Sequence, residues 1–365
     1  MTGPTRRRGA PAAAGLSALL ALFFGQGLGS VSGIAHAAPP AVVVPARDRP
    51  VDFPRFPSLP RDLSDVAAQV GPQVVNINTN FGYSNAVGAG TGIIIDPSGV
   101  VLTNNHVIAA ATDITVFSTA TGQTYGADVV GYDRVHDVAV LQLRGAGALP
   151  AAAIGGPVAL GEPIAALGNT GGQGGAASVI PGRVIALNQT VHASEALTGA
   201  QETLHGLIQV DAAIKPGDSG GPIVNQNGEV IGMNVAATDT YKMTGGTGFA
   251  IPIGQAMDIA GQIRAGAPSP EVHIGATAFL GLGVVDTDGD GARVARVVPT
   301  GPAGAAGLVP GDVITRVNGT RIADATALAD ALSNFHPGDT ITLMWRDASG
   351  GGRSQNITLA EGPPG

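Results

Sequence analysis

At 365 residues the chain is long enough for two or three domains with ordinary cores, and it carries 56 glycines against only 13% charged residues. That balance favours turns and short strands over long surface helices. The net charge of −8 leaves no basic footprint for nucleic acid, and the absence of cysteine excludes disulfides and thiolate metal sites. In chain order, residues 1–37 have the pattern of a cleaved secretion signal. Arg6, Arg7 and Arg8 form a positive head, an apolar stretch follows over 16–28, and Ala35-His36-Ala37 supplies an A-x-A cleavage site. A membrane anchor fits less well, because the apolar run is short and broken by Gly25, Gln26, Gly27 and Gly29. Cleavage would remove three arginines and no acid, taking the charge from −8 to −11. Residues 38–62 read as an extended linker, with seven prolines between 38 and 60, in which Phe53 and Phe56 stand out as aromatics that need a docking surface.

From residue 63 to 265 the pattern is strand-rich. Six short apolar runs (74–77, 92–96, 100–103, 114–117, 128–131 and 138–143) are separated by Gly, Asp and Pro turns. Six more follow at 163–168, 179–187, 206–211, 221–224, 230–235 and 248–253. Two sets of six predict two packed antiparallel barrels. Residues 252–264 predict a helix with Ala256, Ile259, Ala260 and Ile263 on its apolar face. Gly266-Ala267-Pro268-Ser269-Pro270 then opens a linker over 266–275, and an α+β module fills 276–361.

Three segments carry chemistry. They are Thr103-Asn104-Asn105-His106, His136-Asp137-Val138 and Gly217-Asp218-Ser219-Gly220-Gly221-Pro222. A serine hydroxyl becomes a useful nucleophile only when a base takes its proton and an acid orients that base. His106 is the expected base, Asp137 the orienting acid and Ser219 the nucleophile, an order found in double-barrel serine proteases. The backbone N–H groups of Gly217 and Ser219 are the expected oxyanion hole, since fixed donors there meet the developing negative charge. Gly217 to Gly221 also matches G-x-S-x-G, the nucleophile elbow of lipases. That motif needs a helix after the serine with the acid and then the histidine downstream, whereas Ile223 and Val224 are strand-like and neither His273 nor His336 follows a suitable acid. The remaining histidines, 136, 192, 205, 273 and 336, lack a comparable context. Asp286 to Gly291 opens like an EF-hand loop, but Val297 stands where the bidentate Glu belongs, so a solvated hairpin turn is expected. No metal or organic cofactor is implied.

These motifs, with Asp211-Ala212-Ala213-Ile214 ahead of the serine, resemble the HtrA (Deg) family of trypsin-like proteases. The resemblance implies a mostly β chain: a chymotrypsin-like double β-barrel protease followed by a PDZ domain. It also implies a secreted serine endopeptidase acting on unfolded or flexible polypeptides. In such folds the residue six before the nucleophile floors the specificity pocket. Here it is Ala213, and Ile214 with Met233, Asn234 and Val235 would line a small apolar pocket for Val, Ala, Leu or Ile. Phe279-Leu280-Gly281-Leu282 resembles the PDZ carboxylate-binding loop, which would receive peptide C-termini. Leu328 and Leu332 would close that groove or belong to the core. The family resemblance also implies a homotrimer built through Phe53 and Phe56. Two features depart from the family: Asp218 stands where Asn is common, with Lys215 as its candidate ion partner, and the segment between Asn80 and Gly88 is short. The rival from another class is a PDZ-dependent binding protein or chaperone whose proteolysis is incidental.

Overall fold

Helix α1 (Leu63–Val70) leads into a run of strands with the predicted spacing: β1 (Val74–Phe81), β2 (Ala86–Asp96) and β3 (Val100–Thr103). A one-turn helix α2 (Asn105–Ile108) interrupts them before β4 (Asp113–Ser118), β5 (Gln123–Asp133) and β6 (Val138–Leu143). These strands form an antiparallel sheet in the order β5-β4-β1-β2-β3-β6, which β5–β6 pairing closes on itself. The second set is β7 (Pro163–Gly168), β8 (Ser178–Ser194), β9 (Gln201–Val210), β10 (Pro222–Val224), β11 (Val230–Val235) and β12 (Gly248–Pro252). It closes as a barrel in the order β10-β11-β12-β9-β8-β7. The computed structural model describes residues 63–83, 86–194, 201–235, 247–287 and 290–365, all within one unit, Arg55–Gly365. The leader, the Pro-rich segment and Phe53 with Phe56 lie outside the described residues.

Alternation along the strands explains the cores. Ile77, Ile94, Val101, Val116 and Leu141 fill the first barrel. Ile164, Val184, Val210, Ile223 and Ile231 fill the second. Helix α3 (Ile253–Arg264) turns its apolar face, Ala256, Ile259, Ala260 and Ile263, into a third cluster. That cluster joins Val100 and Val138 of the first barrel to Val230 and Met233 of the second, so burial of apolar surface fixes the barrels against each other.

The segment after α3 differs from its sequence reading. Within the expected linker, β13 (Val272–Ile274) pairs antiparallel with β5 and becomes the seventh strand of the first sheet. Val272 is buried, and the close approach requires Gly131, where a Cβ would come within 2.5 Å of the His273 carbonyl oxygen.

The C-terminal module contains β14 (Thr277–Phe279), β15 (Leu282–Asp286), β16 (Ala292–Val297), α4 (Pro302–Ala305), β17 (Val313–Val317) and β18 (Thr320–Arg321). It continues with α5 (Ala325–Ser333), β19 (Thr340–Arg346), β20 (Gly352–Thr358) and β21 (Ala360–Gly362). Its sheet runs β15-β16-β17-β19-β20, and β14 pairs separately with β21. Val294, Ile314, Leu328, Ile341, Leu343 and Trp345 form its core. Leu328 is therefore core, and Leu332 packs partly buried against the same cluster. Of the EF-hand-like stretch, Asp286 accepts the Ala325 N–H at 2.9 Å, bracing the start of α5, while residues 288–289 lie outside the described residues. Among the described residues no helix is long and apolar enough to cross a membrane.

Candidate active site

Strand β3 ends at Thr103 and hands the chain to α2, which carries His106. The Asp137 carboxylate, almost fully buried, takes two hydrogen bonds from that one residue. Oδ1 accepts the His106 backbone N–H at 2.9 Å, and Oδ2 lies 2.8 Å from His106 Nδ1. The imidazole keeps 31% of its surface exposed. Asp137 holds a left-handed backbone at φ 55°, which a non-glycine residue tolerates only when its surroundings enforce it. Asn104 supplies part of that enforcement, donating from Nδ2 to the Asp137 carbonyl at 3.0 Å. Asn104, fully buried, was not singled out by motif reading.

Ser219 sits in the turn between Asp211 and β10, and three glycines let the turn pack where no side chain fits. At Gly220, φ 82°, a Cβ would lie 2.1 Å from the Thr91 carbonyl oxygen and 2.3 Å from Thr103 Oγ1. The Ser219 turn is thus pressed against the end of β3, three residues before His106. Thr91 on β2 ties the parts together. Its N–H donates to the Ser219 carbonyl at 2.8 Å, its hydroxyl donates to the Gly217 carbonyl at 2.6 Å and accepts the Asn169 N–H at 2.9 Å, and its carbonyl accepts the Thr103 hydroxyl at 2.7 Å. The signal for Thr91 was present only indirectly, as glycines at 88, 90 and 92 that mark close backbone approach.

The turn before Ser219 fixes the direction of its main-chain amides. The Pro216 carbonyl accepts the Gly171 N–H at 2.8 Å, so the Gly217 N–H of the same planar trans peptide points to the opposite side. Gly217 has φ 95°, where a side chain would also strike the Asn169 carbonyl. The neighbouring Asp218 N–H is committed to the Lys215 carbonyl. The glycine-rich segment over 171–177 is anchored from both sides: Asn76 Nδ2 donates to the Gly175 carbonyl and Gly174 N–H donates to Asn169 Oδ1.

Asp218 is buried, and its partners differ from the sequence expectation. Oδ1 accepts the Thr170 hydroxyl at 2.7 Å and Oδ2 accepts the Lys215 backbone N–H at 2.9 Å. Among the described residues the exposed Lys215 ammonium forms no ion pair within 4.0 Å; the main chain takes its place because the turn aims the amide, not the side chain, at the carboxylate. Burial pushes the Asp218 carboxyl above its ordinary value, against the opposing pull of these hydrogen bonds and of the Lys215 charge. The folded state therefore holds this proton more tightly than the unfolded chain. Its contribution to stability is complete below the ordinary carboxylate range, about pH 4, and is lost as pH rises through the raised value. Relative to D218N, the protein should lose stability as pH rises above about 4. Urea unfolding of both forms across that range checks this, and a difference that stays constant or moves the other way contradicts it.

The expected specificity residues are distributed unequally. Ala213 is exposed and Ile214 half-buried, its side chain lying against Gly248, where a Cβ would come within 2.5 Å of Ile214 Cδ1. Met233 is fully enclosed in the inter-barrel core, Asn234 donates to the Leu167 carbonyl at 3.0 Å, and Val235 is buried. In the C-terminal module Gly281 has φ 82°, Leu280 is buried in the core, and Phe279 stacks on Tyr83 at the end of β1 with ring centroids 5.1 Å apart. Leu282 is half-buried at the start of β15. His136 makes a second histidine–carboxylate pair, with Nδ1 2.7 Å from Asp133 Oδ2, but within one turn between β5 and β6. Among the described residues no three metal-ligating side chains converge.

Residues 90–233 match the trypsin-like peptidase domain, and residues 278–349 match the PDZ domain. The chain is 35% identical to the serine protease PepD of Mycobacterium tuberculosis, over 90% of this chain and 71% of that one. It is 34% identical to the putative serine protease HhoA of Synechocystis, over 85% and 87% of the two chains. The chain belongs to the HtrA/Deg family of serine proteases. It is an HtrA-type serine endopeptidase, with a trypsin-like domain of two barrels followed by a PDZ domain. A probable periplasmic DegP-like endoprotease of Pseudomonas savastanoi shares 32% identity over 92% of this chain and 71% of that one. Among solved structures, the HtrA-type protease AlgW with a decapeptide aligns over 83% of this chain and 99% of that one, with 26% identity and a TM-score of 0.47.

Proposed function

We propose that this HtrA-type endopeptidase is exported and cleaves unfolded or flexible polypeptides after small aliphatic residues, by an acyl-enzyme route with His106 as base, Asp137 as its orienting acid and Ser219 as nucleophile. The observation that carries the reading is the pair of hydrogen bonds that His106 makes to the Asp137 carboxylate, on a segment pressed against the Ser219 turn. Asp137 on Nδ1 selects the tautomer whose Nε2 accepts the serine proton and returns it to the leaving amine. The Gly217 and Ser219 N–H groups meet the oxyanion. Export rests on the signal-like leader and agrees with relatives named as periplasmic. The finer likeness, to the secreted mycobacterial serine protease PepA from the leader to Glu361-Gly362-Pro363-Pro364, belongs to the same proposal.

Ala213 provides no carboxylate for Lys or Arg, and Ile214, lying against Gly248, offers an apolar surface beside it. Such a pocket separates neighbouring aliphatics by only about 1–3 kcal/mol, so selectivity is loose. Profiling a peptide library with the mature enzyme should give cleavage after Val, Ala, Leu or Ile, and preferred turnover after Arg would refute this. The PDZ loop Phe279–Leu282, with Gly281 left-handed, would take peptide C-termini, the peptide adding to the edge of β15. Assembly as a homotrimer through Phe53 and Phe56 would appear as a threefold mass in light scattering; a monomer would argue against it.

A further inference from the structure

The helix that carries His106 has little cohesion of its own. It is a single turn, with one main-chain bond from Ala109 N–H back to the Asn105 carbonyl, and its N-cap residue Asn104 spends its side chain on Asp137 instead of capping. One turn does not hold its shape in water, so its position comes from outside partners. Two of these come from the far end of the chain. The Pro364 carbonyl accepts the Ala110 N–H at 2.7 Å, and the main-chain oxygen of Gly365 accepts a hydrogen bond from Asn105 Nδ2 at 3.2 Å. Ala110 itself holds a left-handed backbone, at φ 61°. The two bonds bracket His106, one directly before it and one four residues after it.

The segment that supplies these oxygens is itself well anchored. Strand β21 pairs with β14 from Thr277–Gly362 to Phe279–Ala360, Gly362 lies against the Phe279 ring, and Phe279 stacks on Tyr83 of the protease domain. Pro364 is buried. Between the tail and the barrel lies a cavity of about 560 Å³ bordered by Tyr83, Thr112, Ala127, Gly362 and Pro364. The tail therefore meets the helix as a strut across a gap, through two main-chain oxygens.

We propose that residues Pro363–Gly365 are a positioning element for the catalytic base, holding α2 so that His106 stays aligned with Asp137. This rests on the reading of His106 as the base. The contact uses main-chain oxygens, so it depends on the course of the backbone over 363–365 rather than on its side chains.

Three forms of the full-length enzyme test it on a short chromogenic peptide: deletion of residues 363–365, N105A, and the two combined. Deletion should lower kcat about tenfold with KM within about twofold, the size of effect expected from loss of one or two hydrogen bonds that orient a reacting group. Fluorophosphonate labelling of Ser219 should slow by the same factor. The combined form should be no slower than the deletion alone, because the bond that N105A removes is one of the two that the deletion removes. The double substitution P363A/P364A keeps both main-chain oxygens and should recover most of the kcat lost on deletion. Unchanged kcat on deletion, multiplicative effects in the combined form, or no recovery in P363A/P364A would each overturn the proposal. H106A separates the two readings. If H106A is inactive while the deletion is not, the strut fails and the base assignment stands; if H106A keeps full turnover, both fail.

Discussion

Replacing Ser219 by Ala should lower turnover of peptide substrates by about a millionfold, to the residual rate that binding and the oxyanion donors alone supply. The loss is confined to chemistry because the turn is held by its main chain. Thr91 N–H still donates to the carbonyl of residue 219, and Gly220 N–H still donates to the Asn234 carbonyl. Stability should change by less than about 1 kcal/mol, since no main-chain hydrogen bond is removed. Burst kinetics with an activated ester, together with urea unfolding, measure the two separately. The same variant decides between the enzyme and a binding protein with incidental proteolysis. If Ser219→Ala retains full biological activity, the work of the chain is done by peptide binding.

The second large effect is expected at Asp137. In D137N the side-chain oxygen can still accept the His106 backbone N–H, so α2 keeps its place. The amide nitrogen, however, then faces Nδ1 as a donor, and the imidazole must present its lone pair there and its proton at Nε2. A base with the wrong tautomer cannot take the serine proton. We expect kcat to fall about ten-thousandfold with KM little changed, and activity to return in part at high pH, where hydroxide competes as base. A fall of tenfold or less would mean that Asp137 serves the backbone of α2 more than the tautomer of His106.

Much of the site was legible because each of its three chemical groups sits in a short, locally ordered segment. Thr103 to His106, His136 to Val138 and Gly217 to Pro222 announce a helix turn, a strand start and a glycine turn. What links the segments was not legible, because it runs through single hydrogen bonds between residues far apart in the chain. Thr91 reaches Gly217 across 126 positions and Asn104 reaches Asp137 across 33, and neither residue type is unusual at its position. The same limit explains the Lys215 expectation. Sequence proximity pointed to the ammonium, and the turn delivered the amide three residues from Asp218. In the PDZ module the core periodicity was readable, but the stacking of Phe279 on Tyr83 depends on how two domains meet.

Strand β13 changes where the protease can be cut from its neighbour. A boundary drawn at residue 265, just past the end of the helix, would strip Gly131, Tyr132 and Asp133 of β5 of their partner on one side, although β4 and β6 still pair with the strand, and leave the main-chain groups of that short rim facing water. Bare sheet rims of this kind recruit foreign strands and drive self-association. A catalytic fragment that ends after Gly275 retains the partner, and it should stay dispersed where the shorter one precipitates.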